Sequence, residues 1–312
     1  MVEYKTLGRT GLRVSRIGLG TAELGFAYGI GCRSLPTEAE AIWLLQHAVN
    51  WGVNYFDTAY FYGIAEERIE KSGITKDPNV VIATKCGQFL EAGEDPRGFE
   101  LEQRLRDQVE GSLRNLRLDS LPILMLHGGT KEQIKRGELT ALLKEFYKEG
   151  KARFLGISTR GEEANLAAIQ SGAFDVIQVA YNILDQRMAE NVLPAAARNE
   201  LGIINRSALL KGTLTNRAPQ LPEQLKVLQE NRDLLNSIAN GLKLDLSSLA
   251  LRFNLSEPWL TSVLVGTNKP ENLNKAVLIA DLDPLPLVLI QALKSFAIDD
   301  PMQVDPARWP KF

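Results

Sequence analysis

The chain has 312 residues, an apolar fraction of 45% and a formal net charge of −2. That balance excludes the strongly basic stripe a nucleic-acid partner requires, and it supplies enough apolar residues for a large core. Two cysteines, Cys32 and Cys86, are too few and too far apart for a disulfide framework or a C-x-x-C metal knuckle, so a reducing compartment and no metal centre are expected.

The first 15 residues alternate polar and apolar side chains and are broken by charge. They lack the uninterrupted apolar stretch of roughly 7–15 residues that a signal peptide needs. No run approaches the roughly 20 apolar residues of a membrane span. The densest, 285–293, is short and contains Pro286 and Gln291. A cytoplasmic protein without a membrane partner is expected. Leu7-Gly8-Arg9-Thr10-Gly11-Leu12 has the composition of a tight turn between two short strands, a hairpin that would close the bottom of the domain.

Eight short, mostly apolar runs follow, at 17–19, 53–56, 80–83, 121–126, 153–157, 175–179, 203–205 and 262–265. Helical patterns separate or follow them at 38–51, 66–72, 101–117, 131–149, 162–171, 189–200, 246–256 and 270–279. Strands alternating with helices imply parallel pairing through right-handed crossovers. Strands buried on both faces lose the usual polar alternation, as these do. An open sheet that holds a dinucleotide would carry G-x-G-x-x-G directly after its first strand, followed by a helix. Here Gly18, Gly20 and Gly25 miss that spacing, and no helix is expected directly after them. The prediction is a closed (β/α)8 TIM barrel, a single domain over 1–312, with the N-terminal hairpin at its bottom.

Thr37, with Glu40 three residues on, has the pattern of a capping box, and Pro270 suits a first helical turn. Residues 211–226 form the longest loop, with Gly212, Pro219 and Pro222, after the seventh run. Loops of that length are usually functional, so it is expected to lie over a ligand at the barrel mouth.

Four polar residues fall at or just beyond strand ends. Asp57 follows the run 53–56, Tyr62 lies in the next loop, Lys85 ends the third run, and His127 ends the fourth. Singly they would pass as a cap, a packed aromatic, a strand-end charge and a loop histidine. In a barrel, adjacent strands deliver all four to one mouth. A buried lysine and a buried aspartate each cost several kcal/mol alone and are expected to pair (about 3–5 kcal/mol is lost when one partner of such a pair is removed).

Asn54-Tyr55-Phe56-Asp57-Thr58-Ala59-Tyr60-Phe61-Tyr62-Gly63, Ile82-Ala83-Thr84-Lys85 and Leu124-Met125-Leu126-His127 resemble the signature segments of the aldo-keto reductases. Leu7-Gly8-Arg9-Thr10-Gly11-Leu12-Arg13-Val14-Ser15 resembles the opening of the bacterial and channel-subunit-like branches. Gly156-Ile157-Ser158, Gln178-Val179-Ala180-Tyr181-Asn182 and Leu209-Leu210-Lys211-Gly212-Thr213-Leu214 match in order, so the resemblance covers nearly the whole chain.

The resemblance implies hydride transfer between NADPH and the carbonyl of an aldehyde, ketone or sugar, or the reverse on an alcohol, with NADH the other candidate cofactor. Tyr62 would be the general acid/base, Lys85 would lower its pKa, Asp57 would orient Lys85, and His127 would hold the substrate oxygen. Gly20, Thr21 and Asp57 would border the nicotinamide; Ser158, Thr159 and Gln178 would meet its carboxamide. Arg206 stands where many members stack an aromatic residue. Ser207, Leu209 and Gly212 would wrap the pyrophosphate. Gly266 and Thr267, with the following helix start, would meet the adenosine phosphate. At the positions of Asn272 and Lys275 members often carry Arg and Glu; Lys269 or Lys275 would supply the missing positive charge. Phe26, Tyr28, Phe61 and Trp309 are candidate substrate walls, with His127. Cys86, next to Lys85 on a strand, should face away and be inert. The alternatives are a cofactor-holding regulatory subunit with slow turnover, and a barrel lyase using Lys85 as a Schiff-base nucleophile.

Overall fold

The computed structural model describes residues 3–30, 34–216 and 218–310. Cys32 therefore lies outside the described residues. Eight parallel strands close into a barrel: β3 (Ile17–Gly20), β4 (Tyr55–Asp57), β5 (Val81–Cys86), β6 (Leu121–His127), β7 (Ala152–Ser158), β8 (Val176–Ala180), β9 (Gly202–Arg206) and β10 (Ser262–Gly266). β10 pairs with both β9 and β3, which completes the ring. Before it come β1 (Tyr4–Thr6) and β2 (Arg13–Ser15), an antiparallel hairpin.

Period-two alternation sorts each strand's side chains between two cores. Phe56, Ile82, Leu124, Leu126, Ile157 and Ile177 point outward and pack beneath the surrounding helices. Tyr55, Val81, Ala83, Ile123, Met125, Val176, Ile204 and Leu264 point inward and fill the barrel. Leu7 and Val14 of the hairpin join that inner cluster, with Leu12 beside them. Gly8 (φ +48°) sits so close to β9 that a Cβ there would lie 2.2 Å from the Gly202 nitrogen. The hairpin thus plugs the N-terminal end of the barrel by backbone contact, and the expected bottom closure is present.

All eight strands fall on the eight apolar runs. The capping box at Thr37–Glu40 forms, and Pro270 opens the helix Pro270–Ala280. Four helical features differ from expectation. A one-turn helix, Ala22–Gly25, does follow the first barrel strand directly. The segment 131–149 is two helices, Lys131–Lys135 and Glu138–Lys148, because Gly137 (φ +80°) breaks them. A 16-residue helix, Lys226–Gly241, follows the long loop; it buries only Leu228, Gln229, Leu235 and Ala239, a stripe too thin to stand out in so polar a stretch. Leu287–Lys294, weighed above only as a membrane span, is a short helix. No helix among the described residues is long and apolar enough to cross a membrane.

Candidate active site

Going up the inner face of each strand, apolar side chains give way to polar ones at the C-terminal rim. Tyr55 is followed by Asp57, Ala83 by Lys85, Met125 by His127, Val176 by Gln178, and Ile204 by Arg206. Ladder register sets His127 beside Ser158 and Ser158 beside Gln178. One mouth therefore collects these groups, as expected for a barrel.

The Lys85 side chain is fully buried. Its ammonium donates to both Asp57 carboxylate oxygens at 2.7 Å and to the Thr58 carbonyl at 2.9 Å. Gln178 Nε2 also donates to Asp57 Oδ1, at 2.6 Å. Burial pulls the Lys85 pKa below the ordinary lysine value, and Asp57 opposes that pull. The pair is sound because the charges are joined and the remaining donors and acceptors are used.

Tyr62, half-buried, rises from the loop after β4 over this pair, with its ring centroid 5.1 Å from Lys85 Nζ and 5.9 Å from the His127 ring. Phe26 lies 6.0 Å away on another side. Burial, reinforced by the Asp57 charge, pushes the Tyr62 phenol well above its usual pKa. Burial therefore outweighs the lowering expected from Lys85. Burial and the nearby Lys85 charge depress His127 to about 3, leaving a neutral imidazole. Cys86 faces the outer core, and burial raises its thiol to about 12, an inert group as expected.

A cavity of about 650 Å³ opens above Tyr62 and His127 and runs to the helix Pro270–Ala280. It is lined by Gly20, Thr21, Asp57, Ser158, Gln178, Arg206, Ser207, Leu209, Gly212, Gly266, Thr267, Lys269, Asn272 and Lys275, and by Phe26, Tyr28 and Phe61. Lys211, Thr215 and Asn216 bring the start of the long loop to its wall. Lys85 and two expected contacts are absent from the lining. Thr159 is buried, with its hydroxyl donating to the Gly129 carbonyl at 2.6 Å. Trp309 packs into the outer core, with its indole N–H on the Gln303 carbonyl at 3.0 Å. Lys275 does line the cavity, but its ammonium is ion-paired with Asp245.

The profile of the Aldo/keto reductase family matches residues 16–297. The chain belongs to the aldo/keto reductase family. It is 30% identical to L-galactose dehydrogenase of Arabidopsis thaliana over 88% of this chain and 87% of that one. It is 28% identical to D-threo-aldose 1-dehydrogenase of a Pseudomonas species over 88% and 91%. It is similar to the solved holo form of an aldo-keto reductase from Bacillus halodurans, with a TM-score of 0.77 and 25% identity, over 99% of this chain and all of that one. As a member of this family the protein is an NAD(P)H-dependent oxidoreductase.

The residues present fit a nicotinamide dinucleotide. The loop after β9 holds Ser207, Leu210 and Lys211 at positive φ, strained backbone of the kind that cradles anions, and it lies on the cavity. Arg206 lines the same region, and its buried Nε has no hydrogen-bond partner among the described residues. The helix Pro270–Ala280 presents its N-terminus at the far end, where anions are favoured.

Sequence reasoning missed several lining residues: Gln88, Glu91, Arg160, Asp245 and Ser247. Glu91 and Arg160 lie in the loops after β5 and β7, so loop position alone was the available signal. Asp245 is legible only as the N-cap of the helix Leu246–Leu255, where it accepts from the Ser248 N–H at 2.9 Å.

Proposed function

We propose that the protein interconverts the carbonyl and alcohol forms of a small hydroxylated substrate, such as a sugar, with Tyr62 as the proton-transfer residue. One observation carries this reading: a protonated Tyr62 phenol and a neutral His127 share the floor of one cavity, with the buried Lys85 ammonium behind them, 5.1 Å from the Tyr62 ring centroid. The bound nicotinamide supplies or accepts the hydride. His127, neutral, donates a hydrogen bond to the substrate oxygen and orients the carbonyl. Tyr62 gives its proton to that oxygen, and the phenolate so formed lies beside Lys85, which stabilises it. Asp57 keeps Lys85 charged through the cycle, and Gln178 holds Asp57 in turn. In the oxidative direction each proton moves backwards along the same contacts. Gln88 adds a donor and an acceptor for hydroxyls at the mouth, while Tyr28 and Phe61 supply an apolar wall.

The positive charge at the adenosine end bears on the choice of dinucleotide. Sequence favours NADPH through Lys269 or Lys275. Asp245, held ionised near pKa 2 despite partial burial, occupies Lys275 and faces the cavity itself. A carboxylate there suits a ribose 2′-hydroxyl and repels a 2′-phosphate. That leaves Lys269, exposed before the helix Pro270–Ala280, as the cation for NADPH. We therefore take NADH as the better fit.

A panel of aldoses, aldehydes and ketones, followed by dinucleotide absorbance, tests the activity. Tyr62→Phe should lower kcat by roughly 10²–10⁴-fold and leave the dinucleotide Kd, read from quenching of intrinsic fluorescence, unchanged. Undiminished turnover would remove Tyr62 from its role. The same titration should give tighter binding of NADH than NADPH, and tighter NADPH would restore the expectation from sequence.

A further inference from the structure

Glu91 is built into a fixed place against His127, and the construction involves three separate segments. The residue after His127 is Gly128, at φ +112°, where a Cβ would lie 2.6 Å from the Glu91 nitrogen. Only a glycine there lets the loop after β5 rest directly on the end of β6. Arg160, from the loop after β7, donates from Nε to Glu91 Oε1 at 2.7 Å and pairs through another nitrogen with Asp305 in the C-terminal segment. Gln88 Nε2 approaches Glu91 Oε2 at 3.4 Å. One carboxylate oxygen is therefore clamped, and the other faces His127 Nε2 at 3.7 Å.

The imidazole itself is asymmetric. His127 Nδ1 is buried with no hydrogen-bond partner among the described residues, while Nε2 faces the carboxylate. A neutral imidazole carries one proton, and the group facing each nitrogen decides where it sits. A bare Nε2 lone pair would be repelled by the carboxylate, whereas an Nε2–H is attracted to it. At 3.7 Å the attraction acts as a field and not as a hydrogen bond, so the N–H stays available to a substrate oxygen.

We propose that Glu91 is a positioning residue for His127: clamped by Arg160, its carboxylate keeps the His127 proton on Nε2, the tautomer that can donate to a substrate oxygen at the cavity floor. Asp305 supports the clamp, so the C-terminal segment contributes to the geometry of the site. The depressed basicity of His127 is consistent with this, because an imidazole that stays neutral has a tautomer to set. The other charges acting on the ring, Lys85, Arg206 and Arg160, are cations and give no acceptor for an N–H.

The inference rests on the proposed role of His127 in holding substrate, but its test does not depend on turnover. The chain has two histidines, His47 and His127, so a ¹⁵N-histidine NMR spectrum of the full chain is assignable with His47→Gln. Spectra are recorded with and without NADH. Wild type should show a neutral His127 with Nε2–H. Glu91→Ala should move population toward Nδ1–H. The same variant should lower kcat by roughly tenfold, the order lost when an orienting partner of a histidine is removed, with KM changed less than twofold. If Glu91→Ala fails to fold, Asp305→Asn loosens the same clamp and should move spectrum and kcat in the same direction by less. A wild-type proton on Nδ1, or a Glu91→Ala spectrum like wild type, overturns the proposal. So does a variant whose loss lies wholly in KM, which would make Glu91 a substrate contact. Should the tautomer shift as stated while His127→Ala keeps full turnover, the proposed role of His127 fails and the tautomer assignment stands.

Discussion

The two ends of the barrel are made from the same eight strands, yet they are held together by opposite means. At the N-terminal end Leu7 and Val14 close the interior with apolar contact against Tyr55, Val81, Ile123 and Val176. At the C-terminal end the same inner rows carry Asp57, Lys85, His127 and Gln178, joined by ion pairing and hydrogen bonds. The plug gains chiefly from burial, and its few buried polar groups are uncharged, Ser15 and Asn54 each accepting from the other's backbone N–H. The mouth gains little net stability from its buried charges and depends on every partner being present. Stability without chemistry sits below, and chemistry that costs stability sits above, one or two dyads up each strand.

Removing one partner at the mouth should break that balance most severely. Lys85→Met leaves the Asp57 carboxylate buried and unpaired, and about 3–5 kcal/mol of unfolding free energy should be lost. The double variant Lys85→Met with Asp57→Asn should recover much of it, because the uncompensated charge is gone. Urea unfolding of both chains checks this. A double variant no more stable than the single one would show that the pair contributes through its attraction, not through the penalty of stranding one member.

The contrast also explains how much was legible in the sequence. Barrel strands declare themselves by apolar runs, and a polar residue at the end of such a run has one place to go. Asp57, Lys85 and His127 were readable for that reason, Ser158 and Gln178 through the family resemblance, and the hairpin through its turn composition. Thr159 and Trp309 resemble pocket residues by type, but each has its polar atom used locally, by the Gly129 and Gln303 carbonyls, which no pattern reveals. Glu91, Arg160 and Asp245 come from loops and a helix cap, whose positions depend on contacts between segments far apart in the chain. The upward push on the Tyr62 phenol was not legible because its largest cause is burial, with the Asp57 charge second, and burial depends on contacts between distant segments.

At the plug the expected loss is slightly smaller and purely structural. Leu7 is completely buried, and Leu7→Ala should cost about 2–5 kcal/mol through lost burial and the cavity left behind. Its kcat at a temperature where the variant is folded should equal that of wild type. A fall in kcat would mean that packing at the bottom reaches the mouth, and the two ends would then be one cooperative site.

The last effect, the smallest per pH unit, separates the ends by pH. The His127 pKa is about 3 in the folded chain, against an unperturbed value near 6.5. Between those values the unfolded chain binds a proton that the folded chain does not, so unfolding free energy rises with pH in that window. This contribution is fully present above pH 6.5 and is lost as the pH falls, at up to about 1.4 kcal/mol per unit from this one group. Other carboxylates titrate in the same range, so the absolute slope carries several residues. The difference between wild type and His127→Gln isolates one of them: the variant's curve should be shallower from pH 6.5 downward. Leu7→Ala, which removes no titrating group, should lower the wild-type curve by the same amount at every pH. Parallel curves for Leu7→Ala beside a flattened one for His127→Gln would confine the titration to the mouth, and a sloping difference for Leu7→Ala would show that the plug sets how dry the imidazole is.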